Sequence, residues 1–188
     1  MLMFPAQEVG FASWLPTYSI KAGIADTSNA AVYSLYFWLP NTIARLFWSF
    51  LARCTVTYRL KIVEITVTIT SVLLFVLQYF ELYQLVCIIG PIIFGFMLSC
   101  VYSFCVTLPI DNGYDNTISN SANFMLANCI GEGLLNAPIG YSMNLFGFKS
   151  LMIIIMISCF ISFWSFQKAV SSFNDVKTEE EGQEMNLL

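Results

Sequence analysis

A chain of 188 residues with 57% hydrophobic and only 11% charged side chains, at a mean hydropathy of +0.71, lacks the polar surface of a water-soluble domain, which carries about a quarter charged residues. Its formal charge of −4 comes mostly from Glu179, Glu180, Glu181 and Glu184 near the C-terminus, so it describes the tail rather than the body and offers nothing to a nucleic acid. There is no histidine, which removes the commonest general base and speaks against an enzyme.

A membrane span needs about 20 apolar residues. Apolar runs broken by polar punctuation place six spans at Met1–Ala22, Asn29–Ala52, Leu60–Phe80, Leu82–Leu108, Ile118–Met143 and Ser150–Val170. The expected fold is therefore an all-α membrane protein, with a six-helix transmembrane domain over 1–170. The connections KAGIADTS, RCTVTYR, a tight turn near Glu81, PIDNGYDNT and NLFGFKS are short and rich in turn formers or charges.

The first run carries Gln7 and Glu8 where a signal peptide would be apolar, and it has no basic segment before them, so it reads as a retained helix. Gly10, Trp14, Pro16 and Tyr18 follow within three turns. Helices broken by Gly and Pro at membrane depth are tolerated where they line a cavity. Trp14 and Tyr18, one turn apart, could stack on a sugar ring or anchor the helix at the interface.

In the second run, Tyr33, Phe37 and Asn41 share a face, Pro40 can bend the helix, and Arg45 lies near the far end. Snorkelling or a gate-stabilising pairing with a carboxylate suits Arg45 better than direct contact with a solute. The third, fourth and sixth runs are generic apolar spans, and SLMIIIMISCFISFWSF in the last has no polar face to offer water. Asp111 and Asp115, between the fourth and fifth runs, read as solvated loop carboxylates, not metal ligands.

The fifth run is the most informative. Asn120, Phe124, Asn128, Glu132 and Asn136 recur every four residues and form one polar stripe that cannot face lipid. Gly131, Gly133, Ala137 and Gly140 around it permit close helix approach. The stripe either hydrogen-bonds neighbouring helices or lines a solute or ion pathway.

The six cysteines (Cys54, Cys87, Cys100, Cys105, Cys129 and Cys159) stand singly in or beside apolar stretches and read as small buried hydrophobes. Arg53, Arg59, Lys61, Lys168 and Lys177 fall on one side of the six-span layout and Lys21 and Lys149 on the other, which places both chain ends in the cytoplasm. Segment 171–188 reads as a disordered acidic tail.

Three motifs, taken in order, carry a resemblance. EVGFASWLPTYSIKAG resembles the seventh helix, AAVYSLYFWLPNTIARL the eighth, and ANCIGEGLLNAPIGYSMNLFG the eleventh helix of the sodium-dependent glucose transporter and fucose permease branch of the major facilitator superfamily. The resemblance implies the C-terminal six-helix half of such a transporter, working by alternating access on a hexose, with Na+ or H+ as coupling ion. Carried over by position, it makes Glu8 and Glu132 cavity carboxylates for substrate hydroxyls or a coupling cation and Arg45 the cytoplasmic-end arginine. With the residues read along the helices, the expected pathway residues are Gln7, Glu8, Trp14, Tyr18, Tyr33, Asn41, Asn128, Glu132 and Asn136, and Arg45 is a gate or structural charge. The resemblance also implies that the N-terminal half, or a second copy, completes the cavity, since the chain would begin partway into the seventh-helix equivalent. The other function considered is a non-transporting scaffold or regulatory partner of a full-length transporter.

Overall fold

The structure, a computed structural model, describes residues 3–50, 56–99, 101, 103–105, 107 and 118–187, with side chains throughout these except at 3, 118–121 and 173–187. The described residues form helices α1 (Met3–Lys21), α2 (Ala31–Phe50), α3 (Val56–Tyr79), α4 (Tyr83–Leu98), α5 (Ile118–Leu145) and α6 (Ser150–Leu187). The connection holding Asp111 and Asp115, together with Arg53, Cys54 and Cys100, lies outside the described residues.

Three expected boundaries move, and the simplest is that α4 is Tyr83–Leu98 where a span to Leu108 was expected. α3 begins at Val56, not Leu60, because Val56 and Leu60 are both buried in the core while the Arg59 guanidinium between them lies 4.7 Å from the centre of the Phe104 ring. α6 runs past Val170 through the acidic segment to Leu187, where disorder was expected. Lys, Glu and Gln are good helix formers, and a helix already started at Ser150 extends into them without a new nucleation step.

α1 also departs from expectation, since it passes unbroken through both Gly10 and Pro16. Proline has no N–H to give the carbonyl four residues back, which here is that of Ala12. The Ser34 hydroxyl on α2 donates to that carbonyl at 3.4 Å, so a neighbouring helix meets the acceptor that proline leaves open.

α1 ends in a Schellman turn. The Ile24 N–H reaches the Ser19 carbonyl at 3.0 Å and the Gly23 N–H reaches Ile20 at 3.0 Å, with Gly23 at φ 72°. α3 closes the same way, Leu82 to Leu77 at 3.0 Å and Glu81 to Gln78 at 3.1 Å, but its left-handed position is held by Glu81 at φ 61°.

These ends meet. Lys21 at the end of α1 donates to the Met143 carbonyl of α5 at 3.2 Å, and Gln78 near the end of α3 donates to the Lys149 carbonyl ahead of α6 at 3.0 Å. α1, α3 and α5 thus run parallel to one another, and α2, α4 and α6 run back. An exposed Lys149–Glu81 pair at 3.7 Å lies at this end, and hydrogen bonding to Tyr83, with the Glu81 charge, holds the Lys149 ammonium above the usual lysine range.

Close packing sets the pairs. α2 lies against α4 at Gly95, where an added Cβ would strike the Phe37 carbonyl. α1 lies against α5 at Gly140, where a Cβ would come within 2.6 Å of the Trp14 ring. Phe11 of α1 stacks on Phe94 of α4 with ring centres 4.9 Å apart. Cys87, Cys105 and Cys159 are buried free thiols, whereas Cys129 is exposed.

The outside is as apolar as the inside: Phe50 is 82% exposed, Leu46 66% and Ile69 63%. Helices Val56–Tyr79, Tyr83–Cys105 and Ser150–Ser172 are long and apolar enough to cross a membrane. α1, α2 and α5 were expected to span as well. They fall short of that apolarity because Gln7, Glu8, Asn41, Arg45, Asn128, Glu132 and Asn136 lie on them.

Candidate functional site

The polar residues of α1, α2 and α5 gather into two linked groups. In the first, the Asn41 amide donates to the Glu8 carboxylate at 2.9 Å and the Arg45 guanidinium stands 4.0 Å from the same oxygen. Asn41 is buried and Glu8 half-buried, while the Arg45 side chain is 60% exposed. Asn41 therefore holds the carboxylate in place, and Arg45, at the 4.0 Å limit of an ion pair and largely exposed, acts on it loosely.

The second group lies within α5. Asn128 donates to the Glu132 carboxylate at 2.7 Å, and Asn136 donates to the Glu132 backbone carbonyl at 2.8 Å. Both bonds join residues four apart, as the stripe in the sequence requires. The two groups lie on helices that pack against each other, with Gly10 of α1 against Leu135 and Ile139 of α5.

Polar capacity is left over. The Gln7 side chain is fully buried, and neither its oxygen nor its nitrogen has a hydrogen-bond partner among the described residues; the Asn136 side-chain oxygen is in the same position. Buried polar atoms without partners are rare in folded proteins and ask for water or a ligand. Two carboxylates and four amides, two of the amides with open positions, can surround a cation with oxygens or hydrogen-bond a polyhydroxylated solute.

The remaining expected residues lie elsewhere. Trp14 is half-buried with its indole against Gly140, beside the cluster but packed between α1 and α5. Tyr33 is half-buried, its ring edge-on to Tyr36 at 5.8 Å. Tyr18 is fully buried and its hydroxyl donates to Gln78 at 3.0 Å, so it joins α1 to α3 at the far end from Glu8. It does not belong to the Glu8 group.

One buried carboxyl escaped the sequence reading. Glu64 on α3 is only 1% exposed and accepts a hydrogen bond from Ser162 of α6 at 2.9 Å. Glu64, Ser71 and Gln78 are all buried and recur every seven residues, which draws a polar seam along one side of α3. That spacing was available in the sequence, but a span starting at Leu60 puts Glu64 at its edge rather than inside it.

No family model, curated protein or solved structure matches this chain. The fold defines an all-helical protein with three helices suited to cross a membrane and a polar cluster on the other three.

Proposed function

We propose that the chain is a solute-transporting half of the major facilitator type, its six helices all embedded in the bilayer and both ends in the cytoplasm. The observation that carries this reading is the Glu8–Asn41–Arg45 group on α1 and α2 together with the Asn128–Glu132–Asn136 stripe on α5, which packs against α1. Ionisable groups at membrane depth are expensive and mark solute or ion paths.

In this reading a hexose is held by the amides of Gln7, Asn41, Asn128 and Asn136, and Na+ or H+ engages Glu8 or Glu132. Trp14 walls the site. Arg45 steadies Glu8 at the gate, and a second six-helix half, from a longer protein or another copy, closes the cavity over the half-exposed polar face.

The test is uptake of labelled hexose into proteoliposomes holding the chain with its second half, with and without a Na+ or proton gradient. Glu132→Gln should abolish uptake while membrane insertion is unchanged; normal uptake by this variant would remove the carboxylate from the mechanism. Co-purification with a full-length transporter, without any uptake, would instead favour a scaffold.

A further inference from the structure

The middle of α6, where the apolar span Ser150–Ser172 ends, carries chemistry that the polar cluster does not use. Phe160, Trp164 and Lys168 follow one another at single-turn spacing along one face, with Phe160 49% and Trp164 66% exposed. The Lys168 ammonium lies 5.6 Å from the centre of the Trp164 ring, a cation–π contact. Among the described residues it has no carboxylate partner; the ion pairs there are Arg45–Glu8 and Lys149–Glu81.

Trp164 stands as a ridge between two hollows. The larger, about 500 Å³, is bounded among the described residues by Phe160, Phe163, Trp164, Gln167, Lys168 and Ser171. The smaller, about 270 Å³, is bounded by Phe160, Ile161, Trp164 and Ser165. Both are nearly all apolar, and both open outward from the last turns of the span Ser150–Ser172.

A water-soluble ligand has little to hold in such hollows. Paired apolar grooves divided by an aromatic ridge, at the edge of a bilayer and with the Lys168 cation at their mouth, match two acyl chains joined to a negative headgroup. Trp and Lys are also the side chains suited to the membrane interface, and a basic residue near an anionic leaflet is attracted to it.

We propose that this end of the apolar span binds one anionic diacyl phospholipid. Its chains lie on either side of Trp164, and its phosphate sits against Lys168 with Gln167 and Ser171 as hydrogen-bond donors. The site is independent of what the polar cluster carries.

The experiment is native mass spectrometry of the full chain in mild detergent, incubated with phosphatidylglycerol or with phosphatidylcholine of the same chains. The unsubstituted chain should retain one phosphatidylglycerol in preference to phosphatidylcholine. Lys168→Gln should lower that retention about fivefold, Lys168→Arg should keep it, and Trp164→Ala should weaken retention of both lipids. Equal retention of the two lipids, or no change in Lys168→Gln, would overturn the proposal. So would a doubled mass without lipid, which would seat a second copy on this face. Lys168 is exposed, so its substitution leaves the fold intact.

Discussion

The molecule contains two kinds of helix trio. α3, α4 and α6 are apolar enough to cross a membrane, and their carboxyl Glu64 is buried and bonded to Ser162 across a helix contact, while Arg59 Nε and the Thr68 hydroxyl of α3 have no hydrogen-bond partner among the described residues. α1, α2 and α5 hold the carboxylates of Glu8 and Glu132 half-exposed, with Gln7 and Asn136 keeping atoms that have no partner among the described residues. In the first trio the carboxyl is buried and holds two helices together. In the second the carboxylates are left partly open.

Substitutions can break this contrast. The largest effect is expected at Gly95, where the two trios meet through α2 and α4. Gly95→Val would drive a side chain into the Phe37 carbonyl, and backbone yields less readily than the side chains whose overpacking costs about 1–3 kcal/mol. Loss of the monodisperse folded species on gel filtration in detergent is expected; an unchanged elution and melting profile would mean that the α2–α4 contact is looser than described.

Next comes the seam of the apolar trio. Ser162→Ala leaves Glu64 short of its donor and should lower stability by about 1–3 kcal/mol, seen as a lower melting temperature. Adding Glu64→Leu should restore much of it, because a buried polar pair exchanged for packed apolar groups is close to neutral. If the double variant melts no higher than Ser162→Ala alone, the pair is not the interaction that matters there.

The smallest effect on stability is expected in the polar trio. Glu8→Gln keeps its size and remains half-exposed, so its melting temperature should shift by no more than about 0.5 kcal/mol implies. A large loss of stability would mean that Glu8 is a structural group like Glu64, and the contrast between the trios would fail.

How much of this was legible follows from where each partner lies in the chain. The α5 stripe could be read because Asn128, Glu132 and Asn136 bond within one helix, where four-residue spacing is also spatial proximity. The Glu8–Asn41 bond joins residues 33 apart and Tyr18–Gln78 residues 60 apart. Local pattern marks such residues as polar in an apolar run without naming their partners. Tyr18 was accordingly grouped with Trp14 by spacing, although a distant glutamine takes its hydroxyl. The apolar runs gave the helices and most of their bounds, but the starting turn of α3 and the far end of α6 lie in mixed sequence, where packing and helix propensity decide.

The α1–α5 contact is close at Gly140 and capped by Lys21 on the Met143 carbonyl at 3.2 Å, so Glu8 and Glu132 stand on two helices packed against each other. Asn41 and Arg45 belong to α2, outside that pair. A shift of α2 alone would therefore stretch the 4.0 Å gap between Arg45 and Glu8 and release one carboxylate from its cation while leaving the distance between the two carboxylates unaltered.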